Sequence, residues 1–249
     1  TTTITVTEPN TLTTCISGSS NVSCNGGSDG TATVTGSGGT GTYSYSWNTT
    51  PVQTTSTATN LSVGTYVVTV SDENGCSSSS SIGITQSTAL LASSSVATPI
   101  SCNAGTASVT ITASGGTLPY SGTGTFMVTA GTYTYTVTDA NNCTATTSII
   151  VTEPTALVSA IATSTNVSCT GGTNGTATAT ATGGTGSYSY SWNSSPVQTT
   201  AAATNLPAGT YTVTVSDANN CTATTNVTIT EPTLLTASST ISTAIDCNG

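Results

Sequence analysis

In the segment Leu61-Ser62-Val63-Gly64-Thr65-Tyr66-Val67-Val68-Thr69-Val70, the side chains of Tyr66, Val68 and Val70 fall on one face and those of Thr65, Val67 and Thr69 on the other. Successive side chains of an extended chain point to opposite sides, so this period of two, carried by β-branched residues, predicts a half-buried strand over 65–71. Similar runs separated by turn residues predict further strands over 12–20, 31–35, 42–47, 53–60 and 76–85. Gly36, Gly38, Gly39 and Gly41 break the chain before the third of these, and Asp72-Glu73-Asn74-Gly75 forms the turn before the last. On strand 42–47, Tyr43, Tyr45 and Trp47 share a face. A small domain with few other large side chains is expected to bury that row, although an exposed row would make a sugar-stacking platform. Helical spacing of apolar residues is nowhere sustained without an interrupting glycine or threonine.

The pattern repeats. Cys24, Cys76 and Cys102 return as Cys169, Cys221 and Cys247, each 145 residues later (169−24, 221−76, 247−102), and Tyr43-Ser44-Tyr45-Ser46-Trp47-Asn48 returns as Tyr188-Ser189-Tyr190-Ser191-Trp192-Asn193. Between them lies a shorter unit with Cys102 and Cys143, whose cysteines stand 41 residues apart (143−102) against 52 in the long units (76−24). The missing residues fall between the aromatic strand and the tyrosine strand, so a connecting hairpin is expected to be trimmed. The expected organisation is a last strand of a preceding repeat over 1–9, repeats over 10–86, 87–154 and 155–232, and the opening of a further repeat over 233–249. Both ends then fall inside a unit, the expectation for a window on a longer polymer of domains. Absence of a signal peptide or membrane span in this window is uninformative about such a parent. Glu8-Pro9, Glu153-Pro154 and Glu231-Pro232 mark the junctions, where proline favours an extended, stiff connection and hence a rod.

Composition narrows the function. There is no lysine, arginine or histidine against nine acidic residues, a formal charge of −9, so nothing can neutralise nucleic-acid phosphates. The low charge and abundant serine and threonine would suit a disordered stalk if unpatterned, but the strand alternation argues for sheets. Each unit is small and its core thin, so cross-links are expected to compensate. The repeat frames pair Cys24 with Cys76, Cys102 with Cys143 and Cys169 with Cys221, each bridge closing one domain and contributing ~4 kcal/mol in the chain-entropy model. That implies an oxidising, extracellular setting. No Cys-x-x-Cys pair or histidine supports zinc. Cys15 has no counterpart in the other units, and Cys247 has no partner in frame; Cys15 is expected to be buried or locally unpaired in the first strand.

Candidate chemistry is sparse. Without histidine or lysine there is no ready proton carrier or activated nucleophile, so an enzyme is not expected. Asp72, Asp139 and Asp217 recur, each followed two residues later by Asn74, Asn141 or Asn219. Turn formation accounts for such repetition. The same oxygens, with Glu8, Glu153 and Glu231 at the junctions, are also weak candidates for calcium, the one cofactor considered.

Leu61, Gly64, Tyr66, Val68 and Val70, repeated as Leu206, Gly209, Tyr211, Val213 and Val215, resemble the tyrosine corner of fibronectin type III and immunoglobulin-like domains. With the strand count, this gives an all-β expectation: tandem small immunoglobulin/fibronectin-III-like β-sandwich domains, each with one internal disulfide. The string Asn21-Val22-Ser23-Cys24-Asn25-Gly26-Gly27-Ser28-Asp29-Gly30-Thr31-Ala32 is followed by Gly-Gly, Tyr-x-Tyr-x-Trp, Gly-Thr-Tyr-x-Val-x-Val-x-Asp and Gly-Cys. In this order it resembles the SprB-type repeats of Bacteroidetes surface adhesins, along essentially the whole chain. The short unit departs by lacking Tyr-x-Tyr-x-Trp. The resemblance implies a giant extracellular protein exported by the type IX system and displayed as filaments at the cell surface, some of them moved during gliding. The expected function is therefore a structural spacer of a surface filament or adhesin, with a carbohydrate-binding module as the alternative. Expected partners are neighbouring repeats of the same polypeptide, laterally associated copies in a filament and a surface or polysaccharide ligand.

Overall fold

A computed structural model describes residues 2–240. Seventeen strands and no helix occur among the described residues. In the first repeat these are β1 (Thr13–Ser20), β2 (Gly30–Ser37), β3 (Ser44–Trp47), β4 (Thr57–Leu61), β5 (Gly64–Ser71) and β6 (Ser77–Ile84). The short repeat contributes β7 (Leu91–Thr98), β8 (Ala107–Ser114), β9 (Gly124–Val128), β10 (Gly131–Thr138) and β11 (Thr144–Val151). The third repeat contributes β12 (Val158–Thr165), β13 (Gly175–Thr182), β14 (Ser189–Trp192), β15 (Ala202–Leu206), β16 (Gly209–Ser216) and β17 (Thr222–Ile229). Among the described residues no sheet draws strands from two repeats. By contacts the chain divides into two compact units. One takes residues up to Ala97 with Ser108–Phe126 and Thr132–Ile150; the other takes Thr98–Ala107, Met127–Gly131 and the residues from Val151 onward.

Within the first unit, the first repeat is a sandwich of two three-stranded sheets, β1-β2-β4 and β3-β5-β6. The inward faces follow the sequence alternation. Ala32 and Val34 of β2, Ala58 and Leu61 of β4, Trp47 of β3, Val68 and Val70 of β5 and Ile84 of β6 form one buried cluster, with Tyr43, Tyr45 and Tyr66 packed on its margin. The aromatic row therefore faces the core. Trp47, 1% exposed, donates its indole N–H to Thr55 O at 2.9 Å, satisfying its one polar group. Tyr66 donates its hydroxyl to Ser62 O at 3.1 Å, closing the tyrosine corner. Gly30 lets the sheets approach closely, because a Cβ there would stand 2.8 Å from both Leu61 O and Ile84 Cγ2. Hydroxyl pairs such as Thr33 with Thr57 (3.0 Å) and Thr69 with Ser79 (3.1 Å) tie strands on the outer faces, which is how sheets form here without charge. In the second unit the third repeat repeats this plan with sheets β12-β13-β15 and β14-β16-β17, Trp192 at its centre and the Tyr211 hydroxyl on Pro207 O at 3.0 Å.

Strand order hides one reversal. Gly30 pairs with Leu61 and Gly64 with Ile84 at one end of the first repeat, whereas Ser44 pairs with Ser71 and Ser71 with Ser77 at the other. β3 and β4 therefore run in the same direction, and residues 48–56 carry the chain back between them outside any strand, held by Trp47 N–H on Gln53 O (3.0 Å) and Val34 N–H on Ser56 O (2.9 Å).

The short repeat loses more than a hairpin. Its sheets are β7-β8-β9 and the two-stranded β10-β11, so the strand equivalent to β3 is reduced to a single bridge between Ser121 and Thr138. Where the long repeats have Val68 and Val213, it has Tyr135, whose ring meets Phe126 at 5.2 Å between centroids. Residues 2–9, expected to form a last strand, lie exposed and outside any strand, since none of the described strands pairs with them.

Candidate functional site: the cysteine loops

Each repeat carries one cysteine after its first strand and one before its last. The second cysteine sits in a turn built around an aspartate. Asp72 Oδ1 accepts the N–H groups of Asn74 (3.0 Å) and Cys76 (2.8 Å), and Oδ2 accepts that of Thr40 (3.0 Å). Asp139 does the same with Asn141, Cys143 and Thr117, all at 2.9 Å. Asp217 does so with Asn219 (2.9 Å), Cys221 (2.9 Å) and Thr185 (2.8 Å). These three are among the few buried polar residues, at 4–6% exposure. Burial pushes each carboxyl up, but the backbone amides together outweigh it and hold all three below the ordinary value of 3.8. Gly39, Gly116 and Gly184 make room, since a Cβ at any of them would stand within 2.9 Å of the aspartate Oδ2.

The first cysteine opens a tight turn, closed by Gly27 N–H on Cys24 O (2.9 Å), Gly105 on Cys102 (3.0 Å) and Gly172 on Cys169 (2.9 Å). The end of the same repeat clamps this turn. Glu153 Oε2 accepts Ala104 N–H at 2.6 Å, Glu231 Oε2 accepts Gly171 N–H at 2.7 Å, and Gln86 Oε1 takes the same part for Gly26 at 2.8 Å. The junction glutamates thus cap a local turn, a role an amide fills equally well in the first repeat.

The cysteines do not pair within repeats. Cys24 is bonded to Cys143 and Cys102 to Cys221, each with Cα atoms 5.6 Å apart and a sequence separation of 119. Cys15, Cys76 and Cys169 are free. The expected bridges Cys24–Cys76, Cys102–Cys143 and Cys169–Cys221 are therefore corrected, and with them the expectation of one internal disulfide per domain. The reason is geometric. The Cys24 turn is fastened to Gln86 and Ser87 after β6, whereas Cys76 lies before β6. Eight residues of strand, about 27 Å, separate two groups whose Cα atoms must lie within about 7 Å to bridge. β11 and β17 separate the other two pairs in the same way.

Instead the first-cysteine turn of one repeat meets the second-cysteine loop of the next. Asn141 Nδ2 donates to Ser23 O at 3.0 Å beside the first bridge, and Asn219 Nδ2 to Ser101 O at 3.0 Å beside the second. The recurring asparagine two residues after the aspartate is therefore a docking donor. Cys15 is exposed and unbridged on β1, where Thr14 and Ile16 take the inward positions, so the burial expected as one of its two states is corrected. Cys247 lies outside the described residues.

The calcium candidates are spread among these roles. Asp72, Asp139 and Asp217 face amide hydrogens, Asn141 and Asn219 turn their amide N–H groups to carbonyls, Asn74 stands in the equivalent turn, Glu153 and Glu231 cap turns, and Glu8 lies exposed outside any strand. No group of three or more Cys, Asp or Glu that could hold a metal forms among the described residues. No helix among them is long and apolar enough to cross a membrane.

The SprB repeat family matches residues 17–51, 94–121 and 161–197, once in each repeat. The chain carries SprB repeats. These are repeats of Bacteroidetes cell-surface adhesins, and the protein is extracellular, at the cell surface, where oxidising conditions support its disulfides. No curated protein matches the chain. Among solved structures it is similar to three N-terminal domains of the highly immunogenic outer capsid protein of bacteriophage RB49, at 13% identity over 89% of this chain and 99% of that one, with a TM-score of 0.38. It is also similar to the bacterial integrin-binding protein invasin, at 17% identity over 89% and 60%, with a TM-score of 0.34. A third likeness is to a tetra-tandem repeat from the extending region of a large adhesion protein, at 14% identity over 88% and 74%, with a TM-score of 0.28.

Proposed function

We propose that this chain is a spacer of a surface adhesin that resists tension because each SprB repeat is covalently stapled to the next. The observation that carries the reading is the pair of bridges, Cys24–Cys143 and Cys102–Cys221, made between equivalent loops at an identical separation of 119 residues. The two bridges overlap in sequence, so every residue from Cys24 to Cys221 lies inside at least one closed loop. Closing a loop of that length stabilises the folded state by ~5 kcal/mol in the chain-entropy model. The structural repeats are taken as 10–86, 87–154 and 155–232, with neighbouring repeats as the principal partners and lateral association between copies as a further one. The reading assigns no catalysis and no calcium. Adhesion is the activity such a spacer serves, with type IX export and gliding as its setting.

A second reading, carbohydrate binding, draws on a groove in the two long repeats lined by Asn48, Gln53, Thr59, Asn60 and Tyr66 and by their counterparts Asn193, Gln198, Thr204, Asn205 and Tyr211. Its polar groups are largely spent internally: the Gln53 amide bonds Thr59 at both ends (2.9 Å), and Asn48 Oδ1 accepts Val67 N–H at 2.8 Å. A glycan array probed with the oxidised chain separates the two. A spacer gives no selective binding, whereas selective binding lost in an Asn48→Ala, Asn193→Ala double variant favours the module.

A further inference from the structure

Each staple joins two parts whose shape does not depend on the bond. The Cys76 loop carries no bridge, yet Asp72 holds it with the same three amide contacts that Asp139 and Asp217 make in the bonded loops. The Cys169 turn, also unbridged, is closed by Gly172 N–H and capped by Glu231, as Gly105 N–H and Glu153 shape the bonded Cys102 turn. A carboxylate that binds three backbone amides makes strong, charge-assisted contacts, so the loop is set whether or not its sulfur has reacted.

The asparagine amide makes a polar contact between the two parts. Asn141 Nδ2 donates to Ser23 O at 3.0 Å and to Thr117 Oγ1 at 3.2 Å, so both of its hydrogens are used and its direction is set from two sides. Asn219 Nδ2 reaches Ser101 O at 3.0 Å. In both cases the accepting carbonyl belongs to the residue directly before the first cysteine, and the amide belongs to the residue two before the second. A hydrogen bond placed so close to both sulfurs keeps them beside each other and raises their effective concentration.

Building on the inter-repeat staples, we propose that Asn141 and Asn219 close the joints between repeats without the bond, and that they are the positioning residues for the disulfides that then lock them. The closed, reduced joint holds the second-cysteine thiol against the first cysteine. The first-cysteine thiolate attacks a small-molecule disulfide and releases one small thiol; the second-cysteine thiolate attacks the resulting mixed disulfide and releases the other. The two protein thiols thereby lose two protons and two electrons, and the small disulfide takes them up as two thiols. The position calls for an amide because the group opposite is a carbonyl. Alanine offers no donor, and an aspartate, ionised at neutral pH, sets a negative oxygen against that carbonyl.

The test uses the whole chain in two measurements. In the first, the protein is fully reduced, freed of reductant and exposed briefly to a maleimide, and each cysteine is read by mass spectrometry. Cys24, Cys102, Cys143 and Cys221 should label several-fold more slowly than Cys76 and Cys169, which sit in the same kinds of loop and turn but are exposed. Equal labelling means that the joints open without their bonds, and it overturns the proposal. In the second, Asn219→Ala and Asn219→Asp variants are equilibrated at neutral pH with reduced and oxidised glutathione. The equilibrium constant of the Cys102–Cys221 bridge should fall roughly 2- to 12-fold in Asn219→Ala, the worth of one net hydrogen bond, and further in Asn219→Asp, while Cys24–Cys143 keeps its wild-type value in the same molecule. An Asn219→Ala bridge as strong as the wild type, an Asn219→Asp bridge no weaker than the Asn219→Ala one, or an equal loss at both bridges overturns it. Peptides from the oxidised wild-type chain report whether Cys24–Cys143 and Cys102–Cys221 are formed at all, so failure of the positioning is told apart from failure of the staples themselves.

Discussion

Stretching one molecule in the absence and presence of a reductant measures how much chain the staples withhold. Cys24 and Cys221 are 197 residues apart (221−24), a contour of about 690 Å when unbridged. With both bridges intact, the shortest covalent path crosses from Cys24 to Cys143, runs back 41 residues (143−102) to Cys102 and crosses to Cys221, about 140 Å. Reduction should therefore lengthen the fully unfolded molecule by about 550 Å, read from force–extension curves in optical tweezers with handles attached at both termini through non-cysteine tags. The decisive variant is Cys76→Ser. Under staples between repeats it leaves the oxidised contour unchanged, because Cys76 takes part in neither bridge. Under bridges within repeats it would free a loop of 52 residues (76−24), about 180 Å more. A gain of that size in oxidised Cys76→Ser protein refutes the staple arrangement.

Acid should weaken the fold through the aspartates. Asp29, Asp72, Asp139 and Asp217 are held below the ordinary 3.8, so their contribution is complete above that value and is lost as the pH falls through their folded-state values; melting temperature followed by circular dichroism should be level from pH 7 to about 5 and fall below about 4. An unchanged melting temperature at pH 2 contradicts the amide-bound geometry. Trp47→Ala should cost roughly 3–5 kcal/mol in denaturant unfolding of the oxidised chain, since Trp47 is 1% exposed at the centre of its sandwich; a cost below about 1 kcal/mol places the aromatic row outside the core. Ala104 has φ +60°, where glycine is at ease, so Ala104→Gly should stabilise by up to about 1 kcal/mol, and a loss would show that the Glu153 clamp does not hold that conformation.

The strands were legible because alternation records which side chains face inward: β2, β5 and β6 lie within two residues of their expected bounds at each end. The two-sheet plan and the tyrosine corner were legible for the same reason. The cysteine partners were not. Counting each segment as one antiparallel pass places Cys24 and Cys76 at the same end of the repeat. Residues 48–56 break that count, since they return the chain without forming a strand, and a return of that kind leaves no period in the sequence. Glu153 and Glu231 suggested metal ligands by position; Gln86 at the equivalent place in the first repeat was the sign that an uncharged acceptor suffices. In the short repeat the absence of Tyr-x-Tyr-x-Trp was visible, but not that Tyr135 and Phe126 would come together in its stead, which depends on contacts across strands.

The staple arrangement is tested most directly by cutting the oxidised, thiol-blocked and denatured chain on the N-terminal side of aspartate, a route that suits a protein without lysine or arginine. Cleavage before Asp29, Asp72, Asp139 and Asp217 puts Cys24 in fragment 1–28, Cys76 and Cys102 in 72–138, Cys143 and Cys169 in 139–216, and Cys221 in the fragment that begins at Asp217. Mass spectrometry should find two separate linked pairs, 1–28 with 139–216 and 72–138 with the fragment from Asp217. A single assembly of all four fragments, which bridges within repeats would produce, contradicts the account.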